Sequence, residues 1–276
     1  MRFHTNALSR TLLATIGLLI PAFALAQQVA QSPLSPAEQT LQQSAEKDRF
    51  TFIVFYRGKD AAAQAMSAAI EGGIAPRAGR ATLAFVRVTD PGEKKLVNRL
   101  GLARAPLPLC VAFAPNGAVT GTFGKAPSAD ELANAFVTPT MTRCMKALQD
   151  GKVALLCVQG AEGAPEPLAV ASFQADPRFK DRVATVTLDT TDPAEADFLK
   201  QLEIDAANSA KVATVMLAPP GVLVGKYTTE ISFEKMAADL HAAGKCCDDP
   251  NCKHGKGTGT QANPTTTSTA PATQRR

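Results

Sequence analysis

Two stretches of this chain are built alike, and that repeat constrains the fold more than any other feature. Residues 84–123, AFVRVTDPGEKKLVNRLGLARAPLPLCVAFAPNGAVTGTF, run from an apolar strand through a Thr-Asp-Pro-Gly-Glu helix start to a proline-marked second strand, a turn and a third strand. Roughly a hundred residues later the same grammar returns, as an internal repeat of one supersecondary unit would. Thr191-Asp192-Pro193-Ala194-Glu195 stands for Thr89-Asp90-Pro91-Gly92-Glu93, and Pro219-Pro220-Gly221 stands for Pro115-Asn116-Gly117.

Upstream of each stretch the pattern extends in parallel. Ser35-Pro36-Ala37-Glu38 supplies an N-cap, a proline at the first helical position and a glutamate three residues after the cap, a helix start. Thr138-Pro139 takes the same place in the second copy. The runs FTFIVFY at 50–56 and VALLCV at 153–158 are continuous apolar strands of the kind covered on both faces. An alanine-rich helix follows the first, starting after Asp60. Each copy therefore reads α-β-α-β-α-β-β-α. Asp90 and Asp192 are read as caps worth ~1 kcal/mol each rather than as acid–base groups.

This order of elements resembles the thioredoxin fold, present twice across residues 35–243. Pro108, lying ahead of a strand-turn-strand, is similar in spacing to that family's cis-proline. The implied class is α/β: two tandem thioredoxin-like domains, each a central mixed sheet flanked by helices, at 35–137 and 138–244. The family places its CxxC at the strand-to-helix junction after Tyr56, where this chain reads Asp60-Ala61-Ala62-Ala63. The second copy also lacks cysteine at its junction and has Val212 where Pro108 would fall. Thiol-disulfide exchange needs an accessible, low-pKa thiolate with a resolving partner. The resemblance therefore implies the fold, and its redox chemistry is not expected of either domain. The pattern is similar as well to exported bacterial proteins with tandem, redox-inactive thioredoxin-like domains and a cysteine-rich C-terminus.

At the N-terminus, Arg2 and Arg10 precede an apolar run at 12–24 and the small-x-small ending Ala24-Leu25-Ala26. This is the pattern of a secretory signal peptide spanning 1–26, followed by a linker at 27–34. An exported chain, periplasmic or extracellular, is expected, with no membrane span after cleavage. The formal charge of +4 includes those two arginines, so the remainder is near neutral with interspersed charges. That balance offers no electrostatic footprint for nucleic acid. A protein partner is expected. After residue 26 only His241 and His254 remain, which disfavours nucleophile–base chemistry. No phosphate loop, metalloprotease motif or nucleophile elbow is present.

Six cysteines bear on the rest. Cys110 and Cys157 lie inside apolar strands and Cys144 on a helix. A disulfide between Cys144 and Cys157, pinning that helix to its strand, stands beside the reading of both as core thiols. Residues 245–276 change character to a Thr/Pro/Ala/Gly composition that cannot bury enough surface to order itself, so a disordered tail is expected. Cys246, Cys247, Cys252 and His254 cluster there. The cluster is open to a local disulfide, to a soft metal such as copper or zinc, or to thiol relay.

Overall fold

The computed structural model describes residues 33–160, 166–204 and 212–245. They form two four-stranded sheets of identical plan, both within one compact unit that begins at Leu34. In the first half the order of elements is α1 (Pro36–Glu46), β1 (Phe50–Tyr56), α2 (Ala61–Ile74), β2 (Ala81–Arg87), α3 (Lys94–Arg99), β3 (Leu109–Phe113), β4 (Val119–Phe123) and α4 (Ala129–Ala133). The second half repeats it as α5 (Pro139–Gln149), β5 (Val153–Gln159), α6 (Leu168–Ala175), β6 (Val183–Asp189), α7 (Ala196–Gln201), β7 (Thr214–Ala218), β8 (Val222–Tyr227) and α8 (Phe233–Lys245).

Strand order is β2-β1-β3-β4 in one sheet and β6-β5-β7-β8 in the other. The first pair in each is parallel and the next two pairs are antiparallel. A βαβ unit followed by a hairpin, with the third strand antiparallel to its neighbours, is the thioredoxin-like arrangement. The chain is an α/β protein with two such halves.

Alternation along the central strands divides each core in two. Phe50, Phe52 and Val54 of β1 pack with Met66 and Ile70 of α2 and with Leu132 of α4. Ile53 and Phe55 face the other way, toward Ala37 of α1 and Leu96 and Val97 of α3. In the second half Leu155 and Cys157 meet α6 and α8, while Ala154 and Leu156 meet α5 and α7. Aromatic rings cross the outer hairpin strands in matching places. A methyl group added at Gly121 would sit 2.9 Å from the Phe123 ring, and one at Gly225 would sit 2.7 Å from the Tyr227 ring. Each glycine is the floor on which the aromatic residue two positions on lies flat.

The starts of α1 and α5 are satisfied in full, and by a device the local sequence does not reveal. Ser35 Oγ accepts from the Glu38 amide at 3.2 Å and the Glu38 carboxylate accepts from the Ser35 amide at 3.1 Å, closing the expected capping box. Pro36 has no N–H. The remaining early amide, that of Ala37, donates to Glu93 Oε1 at 3.0 Å across 56 residues of sequence. The second half copies this, with Thr138 Oγ1 accepting from the Met141 amide at 3.2 Å and Glu195 Oε1 accepting from the Thr140 amide at 2.8 Å. Glu93 is 5% exposed and Glu195 2%.

Asp90 and Asp192 are the caps the sequence suggests. Their Oδ1 atoms accept from the amides of Gly92 at 2.9 Å and Ala194 at 2.8 Å. The glutamate three residues on serves a different helix from the one it precedes. It brings a carboxyl acceptor to a helix N-terminus, where the early amides lack one.

β7 starts at Thr214. In the turn between β3 and β4 the positive φ belongs to Gly117, at +81°. Asn116 uses its side chain, with Oδ1 accepting from the Ala118 amide at 3.1 Å.

Replacing Glu93 or Glu195 by alanine strands a buried amide, and each change should lower unfolding free energy by about 1–3 kcal/mol. Glu93→Gln and Glu195→Gln keep an acceptor and should lose less. Urea denaturation of the four variants checks this; alanine variants within 0.5 kcal/mol or so of the parent would show that the contact carries no net stability.

Candidate functional site

The first half brings the loop after β1, the head of α2 and Pro108 to one end of the sheet. Register fixes this placement: Leu109 pairs with Phe55, so Pro108 lies beside the point where β1 gives way to residues 57–60. The Leu107–Pro108 peptide is cis, matching the family feature that the spacing suggested.

Asp60 is the N-cap of α2, its Oδ1 accepting from the Ala63 amide at 2.8 Å. Ala61 and Ala62 are exposed and Ala63 is buried against the core. A carboxylate thus occupies the spot where a thiolate would profit from the helix N-terminus. Its oxygen is committed to a backbone amide. Arg57 and Lys59 stand exposed beside it. In the second half the corresponding end is formed by Gln159 and Gly160, with Val158 donating its amide to the Ala213 carbonyl at 2.9 Å. Val212, in the place of Pro108, packs into the core on the α5 side.

The three described cysteines are free and buried. Cys110 lies only two residues beyond Pro108, yet it points into the core between β1, α2 and α4 and is 0% exposed. Burial pushes its thiol up to about 12. Cys144 is likewise raised to about 12 by desolvation, against the opposing charge of Arg143 and with a lesser upward push from Glu195. Cys157 is raised to about 11 by desolvation and by Glu166. None of the three is available as a thiolate near neutral pH.

The Cys144–Cys157 disulfide considered from the sequence is not formed. Cys144 sits in the core layer between α5 and the sheet with Leu156. Cys157, one residue after Leu156 on β5, projects to the opposite face among Val170, Phe173 and Met236. A bond between them would have to pass through the sheet.

The cluster Cys246, Cys247, Cys252 and His254 lies outside the described residues, as does the 1–26 segment. Among the described residues there is no group of three or more His, Cys, Asp or Glu placed to hold a metal ion. No helix among them is long and apolar enough to cross a membrane. Sequence reasoning passed over the Glu93 and Glu195 clamps. Their signal was the recurrence of Ser/Thr-Pro and Asp-Pro-x-Glu in both copies, at separations within one residue of each other.

No protein-family model and no curated protein matches the chain. Solved structures of thioredoxin type do. The germline-specific thioredoxin Deadhead of Drosophila melanogaster is 15% identical over 38% of this chain and 94% of its own, with a TM-score of 0.29. The N-terminal domain of the alkylhydroperoxide reductase AhpF of Enterococcus faecalis is 17% identical over 75% of this chain and 99% of its own, at 0.28. Human ERp44 is 9% identical over 75% of this chain and 55% of its own, at 0.33. At such identities the likeness reaches no further than fold, and the strand order and connectivity carry that assignment here.

Buried thiols tie stability to alkaline pH. A cysteine in the unfolded chain ionises near pH 8.5, whereas Cys110 in the folded chain does so only at about 12. The folded value is the higher, so this contribution is complete below about pH 8.5 and is lost as pH climbs toward 12. Between pH 8 and pH 10 the parent should lose roughly 1–2 kcal/mol more than the Cys110→Ala variant. Urea denaturation at the two pH values measures the difference, and parallel losses in both proteins would contradict it.

Proposed function

We propose that this is an exported, redox-inactive thioredoxin-like protein that acts as a binding or scaffold module for a protein partner. The observation that carries the proposal is the use made of the family's thiol position: Asp60 caps α2 there and Ala63 fills the core. A thiol-disulfide enzyme needs a nucleophilic thiolate at a helix N-terminus and a second thiol to resolve the mixed disulfide. Cys110, Cys144 and Cys157 meet neither need, being buried and raised to about 11 or 12. Export, to a periplasmic or extracellular location, is supported by the basic, apolar and small-x-small order of residues 1–26. Partner binding is what the fold offers once the chemistry is gone: two rigid sheets with loops gathered at their ends.

A second reading is favoured by one feature of the sequence. Cys246, Cys247, Cys252 and His254 fall close together beyond the last helix, a ligand set suited to copper(I) or zinc. On this reading the two halves are a platform for thiol or metal handling in the tail.

Insulin reduction with dithiothreitol tests the first reading. Full-length chain with Cys246, Cys247 and Cys252 replaced by serine should give only the uncatalysed rate, and any acceleration would overturn the redox-inactive reading. Titration of parent and triple-serine proteins with zinc or copper(I) tests the second reading, which fails if both bind metal equally.

A further inference from the structure

The two halves share a plan but differ at the tip of the β-hairpin. In the first half the turn between β3 and β4 is seated on α5, the opening helix of the second half. Asn116 Nδ2 donates to the Thr142 carbonyl at 2.8 Å. The Gln149 carboxamide grips the edge of β4 twice, its Oε1 accepting from the Val119 amide at 2.8 Å and its Nε2 donating to the Val119 carbonyl at 2.7 Å. Met145 of α5 adds an apolar contact to the first half's core, and Ala118 at the tip is 0% exposed.

Register identifies the matching residues of the second hairpin. Phe113 pairs with Val119 and Ala112 with Gly121, as Leu217 pairs with Leu223 and Met216 with Gly225, and each ladder slips at the same step. Leu223 therefore stands where Val119 stands, and Val222 where Ala118 stands. No described helix covers them. Val222 and Leu223 are each 48% exposed, and β8 is the outer strand of its sheet. The uncovered tip carries larger apolar side chains than the covered one, the reverse of what solvent exposure alone favours.

We propose that the β7–β8 hairpin is a docking site for an amphipathic helix of a partner protein, of the kind that α5 presents to the β3–β4 hairpin. Such a helix carries methionine or leucine along one face and, a turn beyond, a glutamine or asparagine whose carboxamide both donates to and accepts from the backbone of Leu223. The same plan excludes the matching helix of a second copy. α1 places Gln42 where α5 has Met145 and Glu46 where it has Gln149. A carboxylate has no N–H for the Leu223 carbonyl, and Gln42 gives no apolar contact. The occupant is a helix from another protein, bound in the helix-to-groove manner. This deepens the binding-module reading and fails separately from it, since the insulin assay is indifferent to the hairpin.

The probe is a fluorescein-labelled peptide of residues 138–150 with Cys144→Ser, titrated with full-length protein and read by fluorescence anisotropy. Saturable binding is expected. The double variant Val222→Asp, Leu223→Asp should weaken it at least tenfold, as should Gln149→Ala in the peptide, while Asn116→Ala in the protein should leave it unchanged. Both hairpin positions are half exposed, so the variant should fold; circular dichroism verifies this, and Leu223→Ala gives a milder second variant with weakening in the same direction. Absence of binding, or binding that survives the hairpin substitutions, overturns the proposal. So does a parent chain that dimerises in light scattering and becomes monomeric in the double variant, because the occupant would then be a second copy.

Discussion

β1 and β5 are apolar on both faces, and a strand of that kind is stable only when helices cover both sides of its sheet. That requirement organises each half. α2 and α4 close one side of the first sheet and α1 and α3 the other, with α6, α8, α5 and α7 doing the same in the second. Closing both sides also buries the starts of α1 and α5 against the sheet, where their early amides lose contact with water. The carboxylates of Glu93 and Glu195 reach in from the turns before α3 and α7 to take up those amides. Helix cover and buried acceptor are thus one constraint seen at two scales.

The same double cover decides the fate of the thiols. A cysteine in a two-sided strand is a small core side chain on whichever face its position selects. Cys110 goes to the α2 and α4 side and Cys157 to the α6 and α8 side, while Cys144 lies across the second sheet from Cys157. Desolvation then raises all three pKa values. The thioredoxin-like frame survives in strand order, in the cis bond before Pro108 and in the helix that starts after Asp60. At the head of α2 Asp60 is a helix cap, and the three described thiols pack in the core.

Much of this was legible in the residues because the signals are local. Ser35-Pro36-x-Glu38 marks a capped start wherever it occurs, and the 50–56 run has no polar face to leave in water. The repeat made the tandem plan readable from two copies of one pattern, and the alanine run after Asp60 marked α2. What stayed hidden depends on tertiary placement. The reach of Glu93 to Ala37 spans 56 residues, so nothing near Glu93 distinguishes a clamp on another helix from a cap on its own. The Cys144–Cys157 pairing failed for a comparable reason. Alternation along β5 puts Leu156 and Cys157 on opposite faces, but only the side chosen by α5 tells which of them meets Cys144. Asn116 supports its turn through its side chain, whose Oδ1 takes the Ala118 amide while its Nδ2 binds α5.

Thiol titration asks whether the folded halves hold an accessible thiolate. Full-length protein with Cys246, Cys247 and Cys252 replaced by serine is mixed with an aromatic disulfide reagent at pH 8, folded and then in denaturant. The account predicts no reaction over minutes in the folded state and three thiols on unfolding, those of Cys110, Cys144 and Cys157. A thiol that reacts at the rate of free cysteine while the chain is still folded would contradict it.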